Sequence, residues 1–243
     1  MRKQFLLTLL LFVTTATAPA ATANPLRDAV AQGATSIAWK IETRGVSICC
    51  CREGGNSWTN YDEDRMEEKE IVLIAQLSGR KVTKLRMVEP TCPLENVRLL
   101  ANVPAEASIA FLLDQLRGAS NPERFVTALA MHQHPGVIPE LITLGRKHES
   151  TDVRRQAIFW LGQRAGEKAA GELRRVVDED PEDEVREHAV FAISQLPAER
   201  AVPILIDLVK THKRPRIRKR AMFWLAQTGD QRGIDLMEQI LTR

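Results

Sequence analysis

Hydrophobic and polar positions in the C-terminal half of the chain repeat every 32 residues. The segments 153–163, 185–195 and 217–227 align without gaps. Four residue types recur at fixed places in all three: Arg154, Arg186 and Arg218; Ala157, Ala189 and Ala221; Phe159, Phe191 and Phe223; and Gln163, Gln195 and Gln227. Four identities held over three copies indicate an internal repeat, which is the signature of a stacked repeat architecture.

A second apolar pattern alternates with these segments in the same register. Apolar residues at i, i+4 and i+7 form one face of a helix. The members of this pattern are Val137, Leu141 and Leu144; Ala169, Leu173 and Val176; Ala201, Leu205 and Leu208; and Gly233, Met237 and Ile240. Each 32-residue unit is therefore predicted to be two antiparallel helices. Pro139, Gly171 and Pro203 share one register position, which we place in the first turn of the second helix, where proline is tolerated.

The same register extends one unit towards the N-terminus. Ala105, Ile109 and Leu112 occupy the second-helix positions one unit earlier. The helices predicted here are Pro104–Arg117, then Asn121–His132 paired with Pro135–Lys147. Asn121-Pro122 suits a helix cap followed by a first-turn proline. The pattern thus predicts three and a half to four helical pairs, which is close to the minimum for a stable stack.

Residues 24–103 follow a different pattern, in which short strand-like runs are separated by turns. The predicted strands are Ser36–Thr43, Val46–Cys51, Glu70–Leu77 and Lys81–Val88, the last two joined by a turn at Ser78-Gly79-Arg80. A short helix is predicted near Leu26–Ala31, and 52–69 is predicted to be a mobile loop. We therefore expect a small antiparallel β unit that shields the first helix of the solenoid.

The repeated helical pattern resembles a known family. Asp152-Val153-Arg154 with Ala157 and Leu161-Gly162, followed by an apolar second helix, resembles the short HEAT repeat that is also called PBS-lyase-like. The resemblance covers residues 120–243, with a weaker unit from 104, and implies a right-handed α-solenoid used mainly to hold other proteins. The early cysteine cluster also resembles that of exported bacterial HEAT-repeat proteins.

These patterns together predict a mainly α protein in three parts. Residues 1–23 are predicted to be a signal peptide, 24–103 a small β-rich domain that contains the cysteines, and 104–243 the solenoid. Arg2 and Lys3 precede the apolar run Phe5–Val13, and Ala21-Thr22-Ala23 fits an A-x-A cleavage site. The run is too short to span a bilayer, which takes about 20 residues. We expect a mature chain that starts at Asn24 and is exported to the periplasm or the medium, with no transmembrane segment.

The composition excludes a disordered chain, and the net charge does not indicate a nucleic-acid partner. Of 243 residues, 44% are hydrophobic, 27% charged and 5% aromatic, which excludes a disordered chain. The formal net charge of +3 comes from 34 basic and 31 acidic residues, so it does not indicate nucleic acid as a partner. Half of the aromatics that remain after cleavage lie at one repeated turn, where we expect inter-repeat core. The predicted repeat core comprises Ala157, Phe159, Leu161, Ala189, Phe191, Ile193, Ala221, Phe223 and Leu225.

Charge distinguishes two of the loops between repeats. The loop 178–184 is acidic, and the equivalent loop 210–220 is basic. Stacking brings such loops side by side on one edge. The favoured interpretation is mutual neutralisation through weak exposed pairs. The alternative is a dipolar docking edge for a charged partner, made of Asp180, Glu182, Asp183, Lys213, Arg214 and Arg216.

The cysteines are Cys49, Cys50, Cys51 and Cys92, all in the predicted β unit. An even number in an exported chain favours disulfides. We favour a bridge from Cys92 to one of the other three, and leave open a redox-active thiol or a metal site. Three consecutive ligands do not wrap a tetrahedral ion easily, and the C-x-x-C spacing is absent.

Other chemistry has no support in the sequence. One HEAT-like family, an iron hydroxylase, uses His-Glu pairs early in the first helix of several repeats, but the matching positions here are Arg155-Gln156, Glu187-His188 and Lys219-Arg220. We therefore expect no catalytic residues, no metal site in the repeats and no cofactor. The predicted function is a non-enzymatic exported scaffold that binds another protein; the alternative is a thiol-redox or metal-handling protein that acts through Cys49–Cys51.

Overall fold

The computed structural model of the chain describes residues 24–44, 47–48, 58–59, 68–164 and 166–242. The predicted signal peptide, the cluster Cys49–Cys51 and most of the segment predicted as a mobile loop lie outside the described residues, so those expectations stay predictions.

The N-terminal part begins with helix α1 and continues into a sheet. Helix α1 (Pro25–Ala31) is capped by the Asn24 side chain, whose Oδ1 accepts the Leu26 backbone N–H at 3.1 Å. The strands are β1 (Ser36–Arg44), β2 (Ser47–Ile48), β3 (Trp58–Thr59), β4 (Glu68–Ser78), β5 (Lys81–Val88) and β6 (Arg98–Leu100). Four of them form one sheet in the order β5-β4-β1-β6, and β2 pairs with β3 separately.

The pairing within the sheet is mixed. Strands β1 and β4 are antiparallel, as are β4 and β5, which are joined by a turn where Gly79 adopts a φ of +58°. Strand β6 runs parallel to β1, with Ile37 opposite Arg98. The predicted strands β1, β4 and β5 are thus antiparallel as expected, whereas the parallel strand β6 was not predicted. The return to β1 takes a long connection through β4, β5 and 89–97, and a three-residue strand is too short to leave a readable pattern.

The sheet is buried on both faces. Trp39 and Leu73 point into the large core that the sheet shares with the helices. Ala38, Val72 and Cys92 belong to a second, smaller apolar cluster on the opposite face. Burial on both sides explains why β4 reads as a continuous apolar run rather than an alternating one.

The described residues contain nine helices after the sheet, arranged in two layers. Layer A consists of α3 (Pro122–Met131), α5 (Thr151–Arg164), α7 (Asp183–Ser194) and α9 (Pro215–Gln227); layer B consists of α2 (Ala105–Leu116), α4 (Val137–Lys147), α6 (Gly166–Glu179), α8 (Ala198–Thr211) and α10 (Gln231–Leu241). Each layer A helix packs against its neighbours in layer A and against helices of layer B. The stack is four pairs plus the single helix α2, slightly more than expected.

Two local expectations about helix starts are wrong. Helices α8 and α6 begin five residues before Pro203 and Gly171, so these two residues lie inside the helices and not in the first turn. Pro139, at the same register position, does lie in the first turn of α4. Pro203 lacks the N–H that would bond the carbonyl of Glu199, and both residues are exposed, so water can solvate that carbonyl. Asn121 precedes α3, but its side chain makes no capping bond.

Candidate interaction surfaces

The repeated arginine holds the end of the preceding layer B helix. Arg154 Nη1 donates to the carbonyls of His148 and Glu149 at 2.9 and 3.2 Å. Arg218 Nη1 makes the same pair of bonds to the carbonyls of residues 212 and 213, at 2.9 and 3.3 Å. Arg186 donates to the carbonyl of residue 180. Carbonyls at a helix C-terminus have no partner within the helix, so a guanidinium there satisfies them. The repetition of arginine is therefore structural.

A buried ion pair links two successive repeats. Arg154 Nε and Nη2 donate to the two carboxylate oxygens of Asp180 at 2.9 and 3.2 Å, and both residues are buried. Asp180 Oδ1 also accepts the backbone N–H of Glu182 at 2.9 Å. Because Asp180 is buried, it cannot belong to an exposed docking edge, and the expectation that placed it there is wrong.

The other members of the predicted charged edge lie at the surface. Asp183 Oδ1 and Arg214 Nη1 are 3.1 Å apart, and Arg216 pairs with Glu187. Glu182 and Lys213 are exposed. The Asp183–Arg214 pair thus joins the acidic and basic loops, and as an exposed pair it contributes under about 1 kcal/mol.

The predicted repeat core divides into two groups. The buried members are Ala157, Leu161, Ala189, Ile193, Ala221 and Leu225. Phe159 and Phe191 are half-buried, and Phe223 is 50% exposed. The phenylalanine follows the buried alanine by two residues, which places it about 200° around the helix. Phe223 therefore does not belong to the core, and the phenylalanine position faces the outside of layer A.

We define the aromatic row as Phe159, Trp160, Phe191, Phe223 and Trp224. Its rings contact one another from repeat to repeat. The Phe159 and Phe191 rings are stacked with centroids 6.5 Å apart, and the Phe191 and Trp224 rings are 4.9 Å apart. Within repeats, Trp160 and Trp224 meet the adjacent phenylalanine edge-on. The phenylalanines of the row therefore cross α5, α7 and α9 along the outer side of layer A, whereas Trp160 is buried beneath them.

Polar groups flank the aromatic row. Gln195 is exposed at the end of α7, and His188 lies beside Phe191, with ring centroids 5.6 Å apart. Burial, together with the nearby cations Arg155 and Arg220, lowers the pKa of His188 to about 4. His188 is therefore neutral near pH 7. The surface combines half-exposed rings with amide and imidazole groups, which suits protein contacts.

Comparison with known proteins agrees with the repeat geometry. The sequence matches the HEAT-repeat family over residues 109–194 and again over 173–243. This chain belongs to the HEAT-repeat family. No curated protein matches it. HEAT repeats are a scaffold typical of protein–protein interaction.

The junction between the sheet and the HEAT repeats contains a buried polar network that the sequence patterns did not indicate. Trp39 Nε1 donates to Ser108 Oγ at 2.7 Å, and His132 Nε2 lies 2.7 Å from the same oxygen. His132 Nδ1 lies 2.8 Å from the carbonyl of Ala128, which can only accept. Nδ1 therefore carries the proton, and Nε2 accepts the Ser108 hydroxyl proton.

This serine–histidine pair is suited to packing rather than to nucleophilic catalysis. Ser108 and His132 are almost fully buried, and the serine oxygen already accepts the Trp39 N–H. Burial lowers the pKa of His132 to about 4. A cleft of about 610 Å³ lies beside the junction, and two of its charged lining groups, Lys40 and Glu70, pair with each other at 2.8 Å. The buried network joins the sheet to the first helices of the HEAT repeats.

Three other histidines cap loops of the HEAT repeats. The Nδ1 atoms of His134, His148 and His212 accept backbone N–H groups two residues further on, at 3.1, 3.1 and 3.2 Å. Within the described ranges, no group of three or more His, Cys, Asp or Glu side chains is placed to hold a metal ion. Helices in the same ranges are too short or too polar to cross a membrane. Cys92 is half of a disulfide whose other half lies outside the described residues, so its pairing stays a prediction.

Proposed function

We propose that this HEAT-repeat protein is an exported, non-enzymatic scaffold that binds another protein through the aromatic row. The observation that carries the proposal is the recurrence of identical residues on the outer side of layer A. Phenylalanine and glutamine recur at the same outward positions in three successive repeats. Recurrence of alanine and arginine follows from packing and from helix-end bonding. Recurrence of the glutamine, half-buried at Gln163 and exposed at Gln195 and Gln227, does not.

The chemistry of the row supports binding to a protein. Half-exposed aromatic rings offer apolar area at low conformational cost, and such rings dominate the centres of protein interfaces. Gln195 and its counterparts provide donors and acceptors at the rim. Arg216 and Arg220, held by the mostly buried Glu187, add fixed positive charges beside the rings. A partner would thus meet an apolar centre with a polar border.

Export is supported by the N-terminal pattern and by the cysteines. The signal-like segment 1–23 has a basic start, a short apolar run and an A-x-A end. Disulfides persist in oxidising compartments, which agrees with the bonded state of Cys92. The mass of the protein from the medium or periplasm of producing cells tests this part; we expect a chain that begins at Asn24.

Site-specific photocrosslinking tests the binding surface. A photoreactive amino acid is placed at Gln195, beside the aromatic row, and in a separate chain at Arg175, which is exposed on layer B. We expect a discrete protein adduct from position 195 in the exported fraction, and its loss when Phe191→Ser is added. The position-175 chain is the matched control. Equal adducts from both positions, or none from position 195, would contradict the proposed surface.

The alternative function, thiol-redox or metal handling through Cys49–Cys51, rests on residues outside the described ranges. Thiol titration and metal analysis of the purified protein separate it from the scaffold. Two disulfides without metal would exclude the alternative, whereas a reactive thiol at Cys50 or stoichiometric zinc would favour it.

A further inference from the structure

Exposed apolar side chains are concentrated at the C-terminal end of the solenoid. Among the described residues, five large hydrophobic side chains are strongly exposed, and four of them lie on α9 and α10. These four are Phe223, Ile234, Ile240 and Leu241, and Leu241 is 85% exposed. The fifth, Leu99, lies in the sheet. Phe223 belongs to the aromatic row on the outer side of layer A; we call the side of α10 that carries Ile234 and Leu241, together with the adjoining side of α9, the end face.

The repeat register shows why these positions are apolar. Leu241 occupies the position of Val177 and Val209, which are at most 7% exposed. Ile234 occupies the position of Ala170 and Val202, which are also buried. In the inner repeats these side chains are covered by the next repeat. A repeat whose outer face met only solvent would carry polar residues there, so the end face has the composition of a covered surface.

A charged group on the end face points to the same conclusion. Arg154 uses Nη1 to hold a helix end and uses Nε and Nη2 to bind the carboxylate of Asp180 in the next repeat. Arg218 holds its helix end in the same way with Nη1. Among the described residues, its Nε and Nη2 make no hydrogen bond. The end face therefore presents a positioned guanidinium edge that fits a carboxylate.

The end face also carries a carboxylate of its own. Glu238 lies four residues after Ile234 and three before Leu241, so the three side chains share one side of α10. Glu238 is exposed. A face with a cation on one helix and an anion between apolar residues on the other is complementary to itself when the two helices exchange places.

We infer that the end face pairs with the end face of a second copy of this chain. A two-fold axis between α9 and α10 would set α9 of one copy against α10 of the other, which brings Arg218 towards Glu238 of the partner subunit. Each such contact then occurs twice, as in isologous dimers. The pairing would continue the stack through a neighbouring copy and leave the outer side of layer A available. It does not depend on the proposed binding function.

Measurement of mass in solution tests the pairing. The full-length sequence is expressed and the purified protein is studied by light scattering and sedimentation equilibrium up to about 100 μM, a range that detects even weak association. We expect a concentration-dependent dimer. Ile234→Glu and Glu238→Lys are expected to weaken it by at least about tenfold, which corresponds to about 1.4 kcal/mol. Circular dichroism checks that each variant retains its helix content.

The matched control is Leu99→Glu, which introduces the same charge at an exposed leucine of the sheet. We expect this variant to dimerise like the unaltered protein. A monomer at all concentrations would overturn the inference, including the case in which the end face binds a different protein instead. A dimer that survives both Ile234→Glu and Glu238→Lys, or one that Leu99→Glu disrupts, would overturn it as well.

Discussion

The two ends of this solenoid meet the same physical problem in different ways. At the N-terminal end, the sheet covers α2 and α3, and the Trp39 ring packs edge-on against Phe111 with centroids 5.8 Å apart. At the C-terminal end, Phe223 and Leu241 are exposed. A stack of repeats has two open faces whatever its length. Here the sheet covers the N-terminal face, whereas the C-terminal face carries apolar residues of the kind that the inner repeats bury.

Polar groups show the same contrast. At the N-terminal junction, the Gln115 side chain binds the β4–β5 turn: its Oε1 accepts the Val82 N–H at 2.8 Å and its Nε2 donates to the Arg80 carbonyl at 3.2 Å. At the C-terminal end, half of the Arg218 guanidinium makes no bond among the described residues. Substitutions at covered positions should therefore lower the free energy of unfolding strongly, and substitutions at the equivalent positions of the open end should lower it only slightly. The predictions that follow use the Ile234→Glu chain, so that pairing between copies does not contribute.

The largest expected effect is at the covered end. Trp39→Ala removes a fully buried ring and leaves the Ser108 hydroxyl without its donor. We expect the free energy of unfolding to fall by about 4 kcal/mol, as for other buried aromatic residues. Phe223→Ala, at a half-exposed ring, is the control and is expected to lower it by about 1 kcal/mol. Urea unfolding followed by circular dichroism measures both, and equal losses would contradict the contrast between the ends.

The repeated arginine offers a second comparison. Arg154→Met leaves the buried carboxylate of Asp180 without its cation, and we expect a loss of about 3 kcal/mol. Arg218→Met removes the same helix-end bonds but strands no buried carboxylate, and we expect about 1 kcal/mol. Thermal and urea unfolding of the two variants side by side decide the matter. An Arg218 effect as large as that of Arg154 would mean that the open end is already paired within the chain.

Low pH should destabilise the junction between the sheet and the repeats, because His132 is buried there without a charge. Its folded pKa of about 4 lies below the ordinary value of 6.5, so the unfolded chain binds more protons between these values. Stability from this residue is fully present above about pH 6.5 and is lost as the pH falls towards 4, by about 3 kcal/mol in total. Burial is the main cause, and Arg164 and His134 act in the same direction.

A pH series of unfolding experiments measures this effect. His132→Asn is expected to flatten the dependence between pH 6.5 and 4.5. His188→Gln is expected to flatten the same range, because the pKa of His188 is also lowered to about 4, so the double variant separates the two histidines from the carboxylates. A pH dependence unchanged by His132→Asn would contradict the contribution of His132.

The sequence patterns predicted the repeats well because packing imposes a period. Alanine and leucine at 157 and 161 must face the core in every copy, so their spacing reveals the helix. The hairpin around Gly79 followed from turn chemistry. The patterns predict Phe159 as core, yet it is half-buried, because it follows the buried Ala157 by two residues and so lies on another side of the helix.

Other features depend on contacts between distant residues. Strand β6 is three residues long and pairs in parallel with a strand some 60 positions earlier, so no local pattern marks it. The bond from Trp39 to Ser108 and the buried state of Asp180 likewise follow from how the elements meet. A run of acidic residues does not show which side chain points into the protein, so the sequence did not separate the buried Asp180 from its exposed neighbours.

The smallest expected difference concerns close approach between helices of layer A. A Cβ at Gly162 would lie 2.8 Å from the backbone oxygen of Ala192 in the next repeat, and backbone cannot move away cheaply. We expect Gly162→Ala to lower the free energy of unfolding by about 2 kcal/mol despite the better helix propensity of alanine. Ala226 holds the same register position at the open end and is exposed. Ala226→Leu adds more volume there and is expected to change stability by less than about 0.5 kcal/mol. Differential scanning calorimetry resolves the two, and a loss at Ala226→Leu comparable with that at Gly162→Ala would show that something within the chain already covers the end face.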